Sequence, residues 1–186
     1  MILNAYRVYF EKWQREELHD IGRARYESKD AETMSKTVNL TGSEPYMTHA
    51  FGAAPELAFE YLTGYSMDRE SYAKGDDGRD FVIDGKTFEV KGSTFGGPEM
   101  QLKVPKAEYE RKVPYCYVAA RVSAGLFWVE LLGIISRAKF GKDKTDKTYM
   151  RGGRNNWVVG LKNLSDIAVV IEPLYTELFF EYEEVV

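Results

Sequence analysis

Two acidic residues and a lysine flank a predicted hairpin turn near the middle of the chain. Asp84-Gly85 is a dipeptide typical of two-residue β-turns, and it separates two short β-type runs. Counting outward from this turn places Asp80 opposite Glu89, and opposed residues have Cβ atoms about 4.5–5.5 Å apart on one side of a sheet. Two carboxylates at that separation repel each other, so either one keeps a proton or a cation lies between them. Lys91 follows Glu89 by two residues and shares its face.

The same register predicts an apolar opposite face on this hairpin. Phe81, Ile83, Phe88 and Val90 alternate with the charged residues and are expected to pack into a core. The alternative is a solvent-exposed hairpin with scattered charges.

The acidic pair predicts a magnesium site. Mg²⁺ prefers oxygen ligands and retains several waters, and Mn²⁺ is expected to substitute for it. A metal held by Asp80 and Glu89 would lower the pKa of a bound water and neutralise phosphate charge. Lys91 would orient or deprotonate that water, or stabilise charge on phosphate oxygens, and the sequence leaves both roles open.

Two helices are expected before the hairpin. Apolar residues recur at helical spacing within an N-terminal helical segment, residues 4–32. A second helix is predicted over residues 48–62, with Thr48 as its cap and Gly64 at its end. Pro55 either divides this helix or begins it.

The remainder of the chain predicts mostly strands. Runs typical of strands cover residues 100–104, 115–122, 126–132, 157–161 and 167–171, with a short helix at 105–112 and a polar loop at 141–153. Helices followed by a mixed or antiparallel sheet indicate α/β in the broad sense, of α+β type, in which a mixed β-sheet core is flanked by helices. The 186 residues fit one domain, residues 1–186.

At this point the sequence resembles a known family. Asp80 followed by Glu89-Val90-Lys91 resembles the PD-(D/E)xK nuclease superfamily, and in particular its small phage-type members. Residues 52–58 are similar to the helix that supplies an additional ligand glutamate in many members, and residues 115–120 and 127–133 are similar to later sheet strands. The resemblance covers about half of the chain. Arg79 stands where the family name has proline.

The resemblance implies a restriction-endonuclease-like fold and a Mg-dependent deoxyribonuclease. It implies that Glu56 contributes to metal binding and catalysis from the helix and that the Val90 carbonyl is a further ligand. Glu60, one helical turn from Glu56, is the alternative helix acid. Asp76 and Asp77 are either metal contacts or solvated turn residues, and Gln101 is either a substrate or metal contact or an exposed strand residue; the second interpretation is preferred for all three.

A basic loop, residues 137–154, is the candidate nucleic-acid contact. It contains seven basic and two acidic residues, although the whole chain has a formal net charge of −4. Such a segment either neutralises phosphates or is a solvated loop. The candidate contacts are Lys139, Lys142, Lys144, Lys147, Arg151 and Arg154.

The cysteine and histidine residues indicate the cellular compartment and argue against a Cys- or His-based metal site. Cys116 is the single cysteine, which excludes a disulfide framework and favours a reducing, cytoplasmic compartment. His19 and His49 show no metal-ligand spacing. No stretch of the sequence predicts a membrane span.

Two alternatives to an independent nuclease remain. One is a non-catalytic protein that keeps the nuclease fold for binding or inhibition. The other is a nuclease subunit that is active only within a homo-oligomer or larger complex. The resemblance to phage-type members extends the cytoplasmic expectation to a phage-encoded protein acting in the bacterial host.

Overall fold

The computed structural model describes residues 5–29, 44–69, 79–94, 100–148 and 155–170. Its strands are β1 (Tyr6–Tyr9), β2 (Phe81–Ile83), β3 (Lys86–Ser93), β4 (Gln101–Pro105), β5 (Cys116–Val122), β6 (Trp128–Ser136), β7 (Thr145–Thr148) and β8 (Asn155–Gly160). Its helices are α1 (Lys12–Glu27), α2 (Met47–Thr63), α3 (Lys106–Arg111) and α4 (Arg137–Asp143), followed by a 3₁₀ turn at Leu161–Asn163.

These strands form two sheets. The larger has the order β1-β6-β5-β3-β2, and the smaller, antiparallel sheet has the order β4-β8-β7. Only β3 and β5 run parallel, so the larger sheet is mixed. The predicted α+β fold with a mixed sheet is confirmed.

The hairpin around Asp84-Gly85 has the predicted register. Phe81 pairs with Phe88, and Ile83 pairs with Lys86. Asp84 and Gly85 have φ values of 48° and 71°, the positive values that this turn needs and that Asp and Gly tolerate. The predicted apolar face is also confirmed, because Phe81, Ile83, Phe88 and Val90 are all buried.

The larger sheet is covered by different layers on its two faces. Phe88 and Val90 of β3 belong to a core cluster with Leu57 of α2 and Leu18 of α1. Tyr117 of β5, which alternates to the other face, belongs to a second cluster formed with the smaller sheet, α4 and the segment after β8. Since successive strand residues alternate, Glu89 and Lys91 lie on this second face.

Three predicted elements have the wrong type of structure in whole or in part. The N-terminal segment begins with strand β1 and not with helix, because Tyr-Arg-Val-Tyr suits an edge strand and pairs with β6. The predicted loop within residues 137–154 contains helix α4 and strand β7. The predicted strand at 167–171 is a turn and the start of a helix as far as residue 170, and residue 171 lies outside the described residues.

Helix α2 covers its predicted span, residues 48–62, with one more residue at each end, but its predicted cap is wrong. Gly64 ends it in a left-handed conformation, as expected, whereas no side chain caps its first turn, so Thr48 is not the cap. Pro55 lies inside the helix and neither divides nor begins it.

Helices α1 and α2 pack at very close range. A Cβ atom added at Gly22 would lie 2.9 Å from both the Cβ and the amide nitrogen of Ala50. Leu18 and Gly22 are buried on the same face of α1, one turn apart. Glycine is therefore the residue that lets the two backbones meet.

We expect Gly22→Ala to lower the free energy of unfolding by about 1–3 kcal/mol, because the added methyl group must displace α2. Urea denaturation measures the change. Gly52→Ala in α2 is the matched control, since nothing lies within 4 Å of its added Cβ, and alanine there should stabilise by up to about 1 kcal/mol. Equal stabilisation by both substitutions would contradict the close approach of α1 and α2 at Gly22.

Candidate functional site

Glu89 is the most deeply buried charged side chain of the site. It lies in the middle of β3 with 1% of its surface exposed. Its Oε1 forms an ion pair with Lys91 Nζ at 2.5 Å and accepts a hydrogen bond from Lys112 Nζ at 2.8 Å. Its Oε2 is buried and has no hydrogen-bond partner among the described residues. One carboxylate oxygen is therefore left for a further donor or cation.

Asp80 is held against the main chain of β3. Its carboxylate accepts a hydrogen bond from the Val90 amide at 2.7 Å, and its own amide donates to the Phe88 carbonyl at 3.1 Å. The regular ladder stops at the Phe81–Phe88 pair. The prediction that Asp80 pairs directly with Glu89 in the ladder is therefore wrong. The Asp80 amide bonds the carbonyl of Phe88, one residue before Glu89, so the regular register is interrupted at Asp80.

The surroundings of Asp80 favour its protonated form. Burial raises the pKa of Asp80 well above its usual value, and the neighbouring carboxylates of Glu56 and Glu89 raise it further. The Lys91 ammonium and the Val90 amide lower the pKa by less. Three acidic groups are thus close enough to repel one another electrostatically.

Glu56 is the helix acid that shares these surroundings. Its two oxygens accept hydrogen bonds from Arg25 of α1 at 3.0 and 2.6 Å, and the side chain is buried. Glu60 instead accepts from the Met67 amide and from half-exposed Arg69. Of the two glutamates proposed from the sequence, the structure brings Glu56 toward Asp80.

A glycine fixes the position of α2 over β3. A Cβ added at Gly92 would lie 2.5 Å from Cγ of Pro55, the residue before Glu56. This close approach is what brings a helix side chain to the start of the hairpin.

Lys91 bridges two carboxylates. Its Nζ lies 2.5 Å from Glu89 and 2.7 Å from Glu108 of α3, and its side chain is about one-fifth exposed. Burial lowers the pKa of Lys91, but the carboxylates of Glu89, Glu108 and Asp80 outweigh burial and raise it above its usual value. Lys91 is therefore an ammonium donor in this arrangement.

Sequence analysis missed Arg25, Lys112 and Glu108. Each lies on an element remote from the hairpin in sequence, and no spacing connects them to Glu56, Glu89 or Lys91. Lys112 is buried immediately after α3, which is unusual for lysine without a partner. Only the packing of α1 and α3 reveals these partners.

The residues expected to bind magnesium present oxygen donors, but not as a preformed cage. Within the described ranges, no three His, Cys, Asp or Glu side chains are arranged to hold a metal ion together. Arg25, Lys91 and Lys112 pair with the carboxylates instead. The buried, unpaired Oε2 of Glu89 and the mutual repulsion of the acids fit a hard cation chemically.

A basic and aromatic cluster lies beside this site. Lys144 Nζ is 3.8 Å from the ring centroid of Tyr109 and 4.3 Å from that of Trp157. Lys106 Nζ also lies 4.4 Å from the Trp157 ring, and Arg137 lies over Tyr109. We call these five residues the basic–aromatic cluster.

A cavity of about 460 Å³ is lined by one residue of the cluster and by one residue that contacts the site. It is lined by Pro105, Lys106, Ala107, Glu108 and Asn155. Because Glu108 also contacts Lys91, this cavity lies next to the candidate site.

The other predicted nucleic-acid contacts have varied positions. Lys139 forms an ion pair with Asp143 on α4, Lys142 is exposed on the same helix, and Lys147 donates to Gln101 across the smaller sheet at 3.0 Å. Arg151, Arg154, Asp76 and Asp77 lie outside the described residues.

Comparisons with protein-family models, curated proteins and solved structures gave no match for this chain. In the part of the chain that the structure describes, none of the helices is long and apolar enough to cross a membrane.

We expect Asp80→Asn to raise the free energy of unfolding of the metal-free protein at neutral pH. A carboxyl whose folded pKa is raised contributes stability below its unfolded pKa of about 4, and this contribution is lost as the pH rises through the folded value. Asparagine keeps the acceptor for the Val90 amide without the charge. Urea denaturation in EDTA should show a larger advantage at pH 8 than at pH 5.

Asp84→Asn is the matched control for this substitution. Asp84 is exposed in the turn of the same hairpin, and asparagine tolerates the positive φ at this position. The difference in free energy of unfolding between Asp84→Asn and wild type should therefore be nearly the same at pH 5 and pH 8. A destabilised Asp80→Asn variant at pH 8 would contradict the electrostatic description of this site.

Proposed function

We propose that the protein is a metal-dependent nuclease that hydrolyses phosphodiester bonds, most simply a Mg-dependent deoxyribonuclease. The observation that carries the proposal is the meeting of three buried carboxylates and a lysine at one end of the hairpin. Glu56 comes from α2, Asp80 precedes β2, and Glu89 and Lys91 come from β3.

A structural role alone does not account for this cluster. Taking charged groups out of water costs several kcal/mol per ion, and ion pairing does not always recover that cost. The apolar face of the hairpin already anchors it in the core. Buried acids that disfavour each other are typical of functional sites, where a substrate or cofactor completes the arrangement.

The donor set supports magnesium as the cofactor, with Mn²⁺ as its substitute. Asp80 and Glu89 would hold the ion, Glu56 would contribute directly or through water, and the Val90 carbonyl is the further ligand that the resemblance implies. Bound magnesium supplies an activated water and neutralises charge on the scissile phosphate. Arg25 would then hold Glu56 in place through its two hydrogen bonds.

The contacts of Lys91 favour one of its two predicted roles. A lysine between Glu89 and Glu108 is held as a cation and oriented by two acceptors. Such a group donates hydrogen bonds to phosphate oxygens as negative charge develops on them. We therefore assign Lys91 to stabilising phosphate charge.

Nucleic acid, and DNA in particular, is the proposed substrate. Lys106 of the basic–aromatic cluster lines the cavity that also reaches Glu108, and Lys144 contacts the same Trp157 ring as Lys106. Lysines positioned over rings are pre-oriented to neutralise backbone phosphates. DNA is preferred to RNA because of the family resemblance, and a cytoplasmic location because Cys116 is a free, buried thiol.

One observation favours a second candidate, a non-catalytic binding or inhibitor protein with a nuclease fold. Arg25, Lys91 and Lys112 already pair with the carboxylates, and the described residues contain no preformed metal cage. A third candidate is a nuclease subunit that needs a larger complex. Such a subunit would take up metal, unlike a non-catalytic protein, but would not cleave alone, unlike an independent nuclease.

We expect Asp80→Ala, Glu89→Ala and Lys91→Ala each to reduce cleavage of DNA by about 10²–10⁴-fold, because each removes a group that acts on the reacting phosphate or its water. Linear, circular and branched DNA and RNA are incubated with the protein and Mg²⁺ or Mn²⁺. Calcium should permit binding without cutting.

Asp84→Asn and Lys86→Ala are the controls for cleavage, because both residues are exposed on the same hairpin and asparagine tolerates the positive φ at position 84. Cleavage at the wild-type rate by the Asp80 or Glu89 variant would overturn the mechanism. Calorimetric titration with Mn²⁺ separates the candidates, since a non-catalytic protein should show no uptake that depends on Asp80 and Glu89.

We expect the double variant Lys106→Gln/Lys144→Gln to bind DNA more weakly and with less salt dependence. Loss of two phosphate contacts should reduce the slope of log K against log salt by about 1.8. Fluorescence anisotropy in Ca²⁺ measures the slope. Lys162→Gln, exposed on the 3₁₀ turn, should leave it unchanged, and an equal effect of both variants would remove the cluster from the interface.

A further inference from the structure

A second cleft opens beside the candidate site, on the helix side of the sheet. Its volume is about 280 Å³, and it lies between the first half of α2 and the end of β3. We call it the β3-end cleft, and it is lined by Thr48, Phe51, Gly52, Gly92, Ser93 and Thr94 above the buried side chain of Val122.

The β3-end cleft is continuous along the chain with the residues proposed for catalysis. Gly92 directly follows Lys91, and Gly52 precedes Glu56 by about one helical turn. Lys91 points to one face of β3 and Gly92 to the other. In the described ranges the β2–β3 ladder ends at Phe88 and the Asp80 carboxylate bonds the Val90 amide just beyond it, so along β3 the candidate site comes first and the cleft next.

The two glycines give the cleft one closed wall and one open wall. On the β3 side, a Cβ at Gly92 would lie 2.5 Å from Pro55 and 3.3 Å from Val122, so this wall is packed. On the α2 side, a Cβ at Gly52 meets nothing within 4 Å. The cleft thus reaches the backbone of α2 at Gly52, where an added side chain would have room.

The chemistry of the lining selects a neutral, flat group. Phe51 offers a half-buried ring and Val122 an apolar floor, and Thr48 and Thr94 carry hydroxyl groups. None of the described residues that line the cleft is charged, which disfavours a phosphate or a metal ion. A ring that stacks on an aromatic side chain and exposes hydrogen-bonding edges fits this lining.

We propose that the β3-end cleft binds one unpaired nucleobase of the strand that is cut. This inference rests on the proposed nuclease function and narrows its substrate. A base within a duplex is stacked and paired, and it cannot enter the β3-end cleft without leaving the double helix. The protein therefore prefers single-stranded DNA, or a frayed end, to intact duplex.

Gly52→Leu tests this inference, because the leucine side chain would occupy the β3-end cleft and leucine favours the helical conformation more than glycine does. Affinity is measured in EDTA, without cleavage, for a fluorescein-labelled 12-nucleotide single strand and for the same sequence as a duplex. We expect the preference for the single strand to fall about tenfold or more, comparable to the loss of one base–aromatic contact. Gly52→Ala should lie between wild type and Gly52→Leu.

Gly160→Leu is the matched control, since its added side chain also meets open space but lies outside the cleft. It should keep the wild-type preference. A second measurement uses wild-type protein alone: single strands containing 5-iodouracil should photocrosslink to Phe51. An unchanged preference in Gly52→Leu, or crosslinks that avoid the cleft, would overturn the inference.

The two proposals fail separately in these experiments. Binding of a base in the cleft without cleavage in Mg²⁺ or Mn²⁺ would end the proposal of an independent nuclease and support base binding in the cleft. Cleavage by Gly52→Leu with wild-type strand preference would end the inference about the cleft and support the nuclease.

Discussion

The burial of Glu89 in the middle of β3 is the constraint on which the rest of the site depends. A carboxylate with almost no exposed surface must find donors within the fold, and Lys91 and Lys112 supply them at one oxygen. This requirement explains why a lysine is buried after α3 and why α3 lies next to the hairpin. The other oxygen has no donor among the described residues, and it gives the site its unused binding capacity.

Glu56, the acid on helix α2, is also satisfied by a basic side chain, but this side chain comes from α1. Arg25 of α1 holds both oxygens of Glu56, and this contact requires α1 to lie close to α2. Gly22 permits that approach, and Gly92 permits the approach of α2 to β3. Two glycines on separate elements therefore set the distance between the helix acid and the strand acids.

The arrangement places electrostatic strain where binding is proposed to occur. Burial and two neighbouring carboxylates favour the protonated form of Asp80, while the Lys91 ammonium and the Val90 amide favour its anion. A cation that entered the site would relieve the repulsion, and a nucleic-acid backbone could approach from the side of the basic–aromatic cluster. The β3-end cleft begins at Gly92, directly after Lys91, so under the two proposals phosphate and base would be recognised by neighbouring but chemically different surfaces.

The sequence by itself determined the hairpin, its apolar face, the extent of α2 and the α+β class. These features follow from local causes: the positive φ values that Asp84-Gly85 accepts, the two-residue alternation of a strand and the helix-ending conformation of Gly64. Only the tertiary structure decided the edge strand β1, the turn of Asp80 away from the ladder, and the pairing of Glu56, Glu89 and Lys91 with Arg25, Lys112 and Glu108. Those contacts join residues that are 17 to 31 positions apart, and no local pattern records which distant charge will satisfy a buried one.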